Sequence, residues 1–316
     1  MNSNITKSGK DLRIIFMGTP DFAVASLKAL VDNGYNVVAV VTAPDKPAGR
    51  GMQLQESAVK QFAVANDLPV LQPEKLRNPE FTEQLKSYQA DLQVVVAFRM
   101  LPEIVWNMPP MGTLNVHGSL LPQYRGAAPI NWAVINGDKY TGVTTFLLQH
   151  EIDTGNILLQ EKMPITDEDT AGTVHDKMMV LGAETLLKTV DGLAGGTITA
   201  KPQEAFINEA TLRHAPKIFT ETCRINWNNP VETVYNFIRG LSPYPAAYGE
   251  LQDKTFKVFK ASKELVHHEE AIGSFHTDGK NYLKFACIDG FIHILELQLQ
   301  GKKRLAILDF LRGFRF

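Results

Sequence analysis

The run Leu12-Arg13-Ile14-Ile15-Phe16-Met17, closed by Gly18-Thr19-Pro20, decides the fold. Its apolar residues follow one another without the alternation of a half-exposed strand, so it predicts a strand buried on both faces. Helical spacing then predicts a helix over 21–33, ended by Gly34, and Val37-Val38-Ala39-Val40-Val41 predicts a second buried strand. Buried strands that alternate with helices indicate an α/β fold with a mostly parallel sheet covered on both faces.

The same alternation continues through the first two thirds of the chain. Further strands are predicted at 69–71, 93–97, 113–117 and 142–148, and further helices at 56–66, 128–135 and 171–190. We therefore assign 1–192 to one α/β domain. Residues 193–213 lack clear periodicity and contain Gly195-Gly196, so we interpret them as a linker.

Residues 214–316 carry a different pattern. A short helix is predicted over 230–240, with proline in its first turn. Short alternating runs separated by turn residues follow at 247–251, 256–261, 271–277, 282–287 and 291–297. Such runs are typical of a small β-barrel, which predicts a second domain over 214–316.

The composition is that of a soluble globular protein. The 316 residues are 44% hydrophobic and 21% charged, and the formal net charge of -2 gives no general attraction for polyanions. Cys223 and Cys287 lie far apart and without a Cys/His ligand spacing, so we expect two buried, reduced thiols and no metal site. Residues 1–10 lack the apolar core of a signal peptide, and no apolar run reaches the roughly 20 residues of a membrane span. We expect a cytoplasmic protein without a membrane partner.

The turn after the first strand argues against two common nucleotide ligands. Gly18-Thr19-Pro20 lies where a dinucleotide fingerprint would lie, but the GxGxxG pattern is absent and Pro20 has no N–H to offer a phosphate. The sequence also contains no Walker loop. NAD binding and ATP hydrolysis are therefore not expected.

The stretch Asn115-Val116-His117 supplies candidate chemistry. Residues two apart in a strand share a face, so the amide of Asn115 and the imidazole of His117 should point the same way at the carboxyl end of a strand. Each has a structural alternative, because Asn115 can cap the sheet and His117 can be a packed core residue. Asp153, before Thr154-Gly155, can be only a turn former, and it gains a function only if the fold brings it to His117.

An amide, an imidazole and a carboxylate are the groups needed to hold a developing oxyanion and to move a proton in acyl transfer. No Ser or Cys nucleophile motif accompanies them. The pattern therefore favours direct transfer of an acyl group to an incoming amine, without an acyl-enzyme.

A second candidate site is the loop Pro44-Asp45-Lys46-Pro47-Ala48-Gly49-Arg50-Gly51-Met52. Lys46 and Arg50 lie on a Gly/Pro frame and can contact phosphates or unpaired bases, although a solvated connection is the simpler interpretation. The basic and aromatic residues of 304–316 are open in the same way between an exposed helix face and a nucleic-acid contact.

Four segments, taken in order, resemble one known family. They are Met17 to Ala23, Pro44 to Gly51, Asn115 to Pro129, and Asp153-Thr154-Gly155. Together they are similar to the methionyl-tRNA formyltransferases, a branch of the 10-formyltetrahydrofolate-dependent formyltransferases. The block from Asn115 to Pro129 is shared by all of these enzymes, whereas the PAGRG loop and the C-terminal β domain single out the tRNA branch. The likeness covers nearly the whole chain.

The resemblance implies a Rossmann-like formyltransferase domain followed by a C-terminal OB-like β-barrel that binds tRNA. It implies a catalytic triad of Asn115, His117 and Asp153. Asn115 and protonated His117 would stabilise the oxygen of a tetrahedral intermediate, and Asp153 would hold His117 and help to relay the amine proton.

The resemblance also implies the ligands. The co-substrate would be 10-formyltetrahydrofolate, with no metal, in a site lined by Ser119, Leu120, Leu121 and Pro122. The partner would be initiator methionyl-tRNA, with Lys46 and Arg50 contacting its acceptor end. We expect a monomer.

Two short stretches depart from the family's usual pattern. Met52-Gln53 follows the PAGRG loop where lysines often stand, and Ala97-Phe98-Arg99-Met100 replaces an alanine, aromatic, glycine sequence. We expect differences in the tRNA and folate contacts there.

The alternative functions are formyl transfer to a small amine, such as a purine precursor or an amino sugar, and hydrolysis of formyltetrahydrofolate. A non-catalytic RNA-binding protein is a third class, which the intact set of three polar residues disfavours.

Overall fold

The structure, a computed structural model, describes residues 8–48, 53–206 and 212–315. Its α-helices are α1 (Asp21–Asp32), α2 (Ala58–Ala65), α3 (Pro79–Ser87), α4 (Glu103–Trp106), α5 (Pro129–Ile135), α6 (Ala171–Ala194), α7 (Val231–Leu241) and α8 (Ile307–Gly313). Its strands are β1 (Ile14–Gly18), β2 (Val37–Val41), β3 (Lys46–Ala48), β4 (Gln53–Gln55), β5 (Val70–Leu71), β6 (Leu92–Val96), β7 (Thr113–His117), β8 (Arg125–Gly126), β9 (Tyr140–Leu147), β10 (Ile157–Pro164), β11 (His214–Ala215), β12 (Ala247–Leu251), β13 (Lys254–Leu265), β14 (Phe275–Thr277), β15 (Leu283–Cys287), β16 (Gly290–Leu299) and β17 (Arg304–Ala306). Short 3-10 turns lie at Gly9–Asp11, Gln203–Phe206 and Thr220–Cys223.

The chain forms two compact units that interleave in sequence. Within the described residues, the first unit takes in the chain up to 125 together with 142–163 and 176–213. The second unit is built from 126–141, 164–175 and 214 onward. The predicted division into a domain over 1–192, a linker over 193–213 and a domain over 214–316 stays a prediction.

The first unit is built on a seven-stranded sheet in the order β10-β9-β7-β6-β1-β2-β5. β1 pairs in parallel with β2 and β6, β2 with β5, and β6 with β7, whereas β9 runs antiparallel to β7. The predicted α/β fold with a mostly parallel sheet is confirmed. Because β1, β6 and β7 run in one direction, their carboxyl ends at Gly18, Val96 and His117 lie along one edge of the sheet, where such folds build their sites.

Gly18 has a packing role at this edge. A Cβ on this residue would lie 2.6 Å from the Cβ of Ala23 and 3.0 Å from the carbonyl oxygen of Val96. Both distances are too short for a side chain, so the glycine lets α1 approach the end of β1. Close packing of strand and helix therefore accounts for a glycine that a dinucleotide fingerprint would assign to phosphate binding.

The second unit contains an antiparallel sheet in the order β12-β13-β16-β15-β14, with β17 also paired to β16. The register of β13 shifts on both sides of Lys260, and a shift of this kind bends a long strand, so β13 can pair with both of its neighbours. Aromatic rings fill the inside of the sheet: Trp227 stacks on Phe285 at 4.5 Å between centroids, and Phe256 stacks on Phe285 at 5.4 Å. The predicted OB-like β domain is confirmed.

Helices α5 and α7 pack against each other within the second unit. The amide nitrogen of Asn131 donates to the carbonyl oxygen of Gly240 at 2.8 Å, and a Cβ on Gly240 would lie 2.5 Å from the Ile135 side chain. Ile135 packs against the apolar core of this unit, which includes Ile238. The segment that follows the Asn115 to Pro129 block thus contributes to the core formed by the C-terminal residues.

The structure differs from the sequence expectations at a few elements. Periodicity did not identify α3, because a nine-residue helix with mean polar character shows its apolar stripe only at Phe81 and Leu85. The strand expected over 271–277 begins only at Phe275, and the loop around Lys46 is a short hairpin of β3 and β4.

Among the described residues, no helix combines the length and the apolar character needed to cross a bilayer.

Both thiols are expected to resist modification in the folded protein. Cys223 and Cys287 are buried and free, and burial, helped by the charge of Asp289, raises the pKa of the Cys287 thiol to about 12. Burial also raises the pKa of Cys223. Burial and the raised pKa of each thiol both disfavour the reactive thiolate in the folded protein. Titration with a chromogenic disulfide reagent at pH 8 should detect no reactive thiol before denaturant is added and two afterwards; rapid reaction of the native protein would contradict this burial.

Candidate active site

Asn115 and His117 lie in β7, which ends at His117, and they face the same side of the sheet because they are two residues apart. Their partners across β9 are Phe146 and Thr144, so the antiparallel pairing fixes both residues in register. His117 is 8% exposed and Asn115 is partly buried. The Asn115 side chain makes no hydrogen bond to any of the described residues, so its amide is available to a ligand at this edge.

The imidazole of His117 is held between a carbonyl and a carboxylate. Its Nε2 lies 2.9 Å from the carbonyl oxygen of Tyr124, and because a carbonyl only accepts, Nε2 carries a proton and donates it. Its Nδ1 lies 3.9 Å from Oδ2 of Asp153, a distance of ion-pair range that is longer than a direct hydrogen bond. Phe146 packs edge-to-face at 6.4 Å. The fold therefore does bring Asp153 to His117, with Nδ1 as the nitrogen that faces it.

Asp153 reaches this place through a turn between β9 and β10. Its φ of +55° is in the left-handed region, which Asp tolerates better than most residues. Gly155 completes the turn, because a Cβ there would lie only 1.7 Å from the carbonyl oxygen of Leu147. The two interpretations of Asp153 thus apply together: it is a turn former, and the turn aims its carboxylate at the imidazole.

A glutamine that sequence reasoning missed supports this turn. Gln203 is fully buried, and its Nε2 donates to the carbonyl oxygens of both Asp153 and Gly155 at 2.8 Å. Its Oε1 accepts from Nε of Arg125 at 3.0 Å and from Nη2 at 2.7 Å. Gln203 lies in the segment interpreted as a linker, where an isolated amide without periodic neighbours gives no signal.

The segment from Ser119 to Pro122 is fixed by hydrogen bonds to its backbone. The hydroxyl of Thr144 donates to the carbonyl oxygen of Ser119 at 2.6 Å and accepts from the Leu121 N–H at 3.0 Å. Gln160 donates to the carbonyl oxygen of Leu121 at 2.7 Å. The Ser119 hydroxyl donates to the carbonyl oxygen of Gln123, so it is already used within the segment. This segment is a rigid wall beside His117.

Two of the cavities lined by described residues of the first unit lie beside the candidate sites. One, of about 330 Å³, is next to the Asp153 turn and is lined by Trp106, Arg125, Gln149, His150, Glu151, Thr154 and Glu204. The other, of about 480 Å³, is lined by Thr19, Ala43, Pro44, Lys46, Glu74, Phe98 and Arg99. Lys46 therefore borders a different cavity from the one next to Asp153, and Arg99, one of the departures from the family pattern, borders the same cavity as Lys46.

The hairpin that carries Lys46 is anchored at its base. Asp45 pairs with Lys60 and accepts a hydrogen bond from Gln72 at 2.8 Å; these contacts, that of Lys60 first, lower the pKa of the Asp45 carboxyl. β3 and β4 then pair from Lys46 to Gln55. Arg50 lies outside the described residues. The described residues on both sides of this stretch, Lys46–Ala48 and Gln53–Gln55, are therefore held in place by strand pairing and by the contacts of Asp45.

The sequence matches known families over nearly its whole length. Residues 12–190 match the family described as formyl transferase, and residues 217–315 match the formyl transferase C-terminal domain. A methionyl-tRNA formyltransferase of Phocaeicola vulgatus is 60% identical over 313 residues, and one of Bacteroides thetaiotaomicron is 58% identical over 311 residues. Each alignment covers 97% of both chains.

Solved structures share the fold at low sequence identity. WlaRD, a sugar 3N-formyl transferase solved with dTDP and 5-N-formyl-THF, has a TM-score of 0.67 at 20% identity and covers 92% of this chain and 99% of its own. HypX from Aquifex aeolicus, solved with tetrahydrofolic acid, has a TM-score of 0.64 at 18% identity and covers 96% of this chain and 48% of its own. These similarities show that the chain shares its fold with both proteins.

The orientation of the His117 ring makes a prediction that needs no substrate. Because Nε2 donates to the Tyr124 carbonyl, the neutral ring should be the Nε2–H tautomer, which ¹⁵N NMR distinguishes from the Nδ1–H form by chemical shift. Asp153→Asn should leave that tautomer unchanged, since the carbonyl that fixes it remains. A neutral ring protonated on Nδ1 would show that the ring is flipped.

Proposed function

This chain belongs to the formyl transferase family, and we propose that it transfers the formyl group of 10-formyltetrahydrofolate to the α-amine of initiator methionyl-tRNA. The observation that carries the proposal is that relatives with this activity in their names are 58–60% identical over 97% of both chains, and so include the C-terminal β domain. We propose a monomeric, cytoplasmic enzyme that provides N-formylmethionyl-tRNA for translation initiation and uses no metal.

The proposed reaction passes through a tetrahedral intermediate. The lone pair of the neutral α-amine forms a bond to the formyl carbon, and the carbonyl electrons move to the formyl oxygen. The amine nitrogen then gives up a proton, which is relayed to N10 of the folate. The electron pair of the oxyanion re-forms the carbonyl, and the bond from the formyl carbon to N10 breaks with its electron pair going to N10. Product and tetrahydrofolate result without any covalent enzyme intermediate, in agreement with the absence of a Ser or Cys nucleophile motif.

The three polar residues have separate roles in this reaction. The Asn115 amide donates to the oxygen that gains charge, because it has no competing partner among the described residues. Protonated His117 has one N–H committed to Tyr124, so only its Nδ1–H can assist the oxyanion or exchange a proton with the amine. Asp153, 3.9 Å from Nδ1, balances the charge of the ring. Long contacts of this kind commonly tighten when substrate binds.

The segment Ser119, Leu120, Leu121 and Pro122 is proposed to line the folate site. Thr144 and Gln160 hold its backbone, so the wall exists before a ligand arrives. Partly exposed Leu120 can offer apolar surface, and the cavity beside the Asp153 turn supplies adjacent space. The solved relatives that bind tetrahydrofolic acid or formyl-THF share this fold and support a folate ligand.

The tRNA is proposed to contact the β3–β4 hairpin through Lys46 and Arg50. Lys46 is exposed, and the base of the hairpin is held by Asp45, Lys60 and Gln72. Holding Lys46 on a fixed strand lowers the entropy cost of ordering it when tRNA binds. Basic residues on such a hairpin bind the phosphate backbone with an affinity that falls as salt rises.

One assay tests the proposed function directly. Purified protein is incubated with 10-formyltetrahydrofolate labelled in the formyl group and with initiator or elongator tRNA charged with methionine. Label should appear on initiator methionyl-tRNA. Label on a small amine instead would favour the first alternative, and release of labelled formate without tRNA would favour the hydrolase.

Asn115→Ala should lower kcat about 100- to 1000-fold, because loss of one oxyanion donor costs about 2.7–4 kcal/mol. The strand register should persist, since the backbone of β7 makes the pairing, and circular dichroism should report a folded protein. Near-normal turnover by a folded Asn115→Ala variant would remove this residue from the mechanism.

Arg50→Ala should raise KM for methionyl-tRNA strongly and leave KM for the folate nearly unchanged, because only the tRNA offers phosphates to the hairpin. Arg77→Ala, which removes another exposed arginine of the first unit, is the matched control and should change neither value. Equal losses toward both substrates in the Arg50 variant would argue against a tRNA contact.

A further inference from the structure

We propose that Gln203 is a positioning residue for the Asp153 carboxylate, and that the segment around it is part of the active site. This inference rests on the proposed function for its meaning, since Asp153 acts there through His117. It concerns a residue that neither motif nor periodicity identified.

Asp153 needs support because its backbone adopts an unfavourable conformation. A φ of +55° puts the Cβ of an L-residue close to its own backbone, so other conformations compete with this one. The carboxylate makes an ion-pair contact with His117 at 3.9 Å, too long for a direct hydrogen bond to fix the pair. The backbone conformation of this turn therefore contributes directly to where the carboxylate lies.

Gln203 holds that backbone at two points. Its Nε2 donates one hydrogen to the carbonyl oxygen of Asp153 and the other to that of Gly155, each at 2.8 Å. A primary amide has two N–H bonds, so its entire donor capacity goes to this turn. Because Gln203 is fully buried, these hydrogen bonds do not compete with bulk solvent.

Arg125 determines which end of the amide faces the turn. Its guanidinium donates to Oε1 of Gln203 through Nε and Nη2, at 3.0 and 2.7 Å. A rotated amide would place its NH₂ against that cation and its oxygen against two carbonyls. The arrangement is therefore locked in one orientation, as a positioning role requires.

The backbone around Gln203 is itself tied to the sheet. Lys201 and Ile157 exchange N–H to carbonyl hydrogen bonds at 2.8 Å in both directions, which joins the segment to the first residue of β10. A 3-10 turn begins at Gln203. Farther along, the carbonyl oxygen of Arg213 accepts from the Tyr124 N–H at 2.7 Å, and the carbonyl of Tyr124 holds His117. The described parts of 201–213 thus back both members of the His117–Asp153 pair.

The inference is tested by a double-mutant cycle between Gln203→Met and Asp153→Asn. Methionine keeps the approximate size but donates nothing, so kcat should fall about 10- to 100-fold, the range expected when a reacting group is misplaced. If Gln203 acts through Asp153, adding Gln203→Met to Asp153→Asn should lower kcat by less than about threefold. Multiplication of the two separate losses would overturn the proposal.

Thr185→Val is the matched control. Thr185 is also fully buried and donates to a backbone carbonyl, that of Leu181 at 2.6 Å, but it lies within α6. Its loss should lower the unfolding temperature comparably and leave kcat unchanged. An equal loss of kcat in the control would mean that any buried hydrogen bond has this effect, and would refute a specific role for Gln203.

Two further measurements keep the outcome decisive. If Gln203→Met does not fold, Gln203→Glu takes its place, since an ionised carboxylate still accepts from Arg125 but cannot donate to the turn. The ¹⁵N signal of His117 Nδ1 reports the position of Asp153 without any assay. Asp153→Asn keeps the tautomer but should shift this signal, because a charge 3.9 Å away is lost. Gln203→Met should shift it in the same direction, and Thr185→Val should not. Unshifted signals would refute positioning even in an active enzyme, whereas wild-type protein that fails to formylate methionyl-tRNA would refute the proposed function alone.

Discussion

The approach of Gly155 to the Leu147 carbonyl oxygen is the constraint on which the active site depends. Only a residue without a Cβ allows the chain to return so closely to the end of β9, and this return places Asp153 opposite His117. The pairing of β9 with β7 determines where along β7 the turn after β9 begins. The same few backbone contacts therefore set both the register of β7 and β9 and the position of the Asp153 carboxylate.

The surroundings of His117 give its two ring nitrogens different roles, one in holding the ring and one in the proposed reaction. The Tyr124 carbonyl engages one nitrogen, which leaves the other to face Asp153 and the space at the end of the strand. An imidazole free to rotate would lose this distinction. The ring is 8% exposed, and Phe146 packs edge-on against it, so packing and hydrogen bonding agree on a single orientation.

Much of the fold was predictable because its strands are continuous apolar runs. The run at Ile14 to Met17 and the valines of β2 and β6 are long enough to be distinguished from surface segments. The placement of Asn115 and His117 on one face of the sheet followed from the two-residue period of a strand. The proximity of Asp153 could not follow, since it depends on a left-handed residue and a glycine contact that appear only when β9 and β10 are in place.

Gln203 illustrates what local pattern cannot supply. Its importance comes from partners 48, 50 and 78 positions away in sequence, and no window of neighbouring residues records them. The same is true of Thr144 in β9 and Gln160 in β10, which hold the segment from Ser119 to Leu121. Periodicity identifies elements, whereas the polar contacts that align them across the sheet belong to tertiary structure.

The interleaved path of the chain limits how this protein can be divided. Helix α5 lies between two strands of the N-terminal sheet in sequence, yet Ile135 packs into a core formed mostly by residues beyond 214. A shortened chain that ended near residue 192 would keep α5 and lose α7, which would uncover an apolar helix face to water. Such a fragment would tend to aggregate. Low solubility of an isolated N-terminal fragment would therefore reflect the exposed apolar face of α5 and not a loss of catalytic residues.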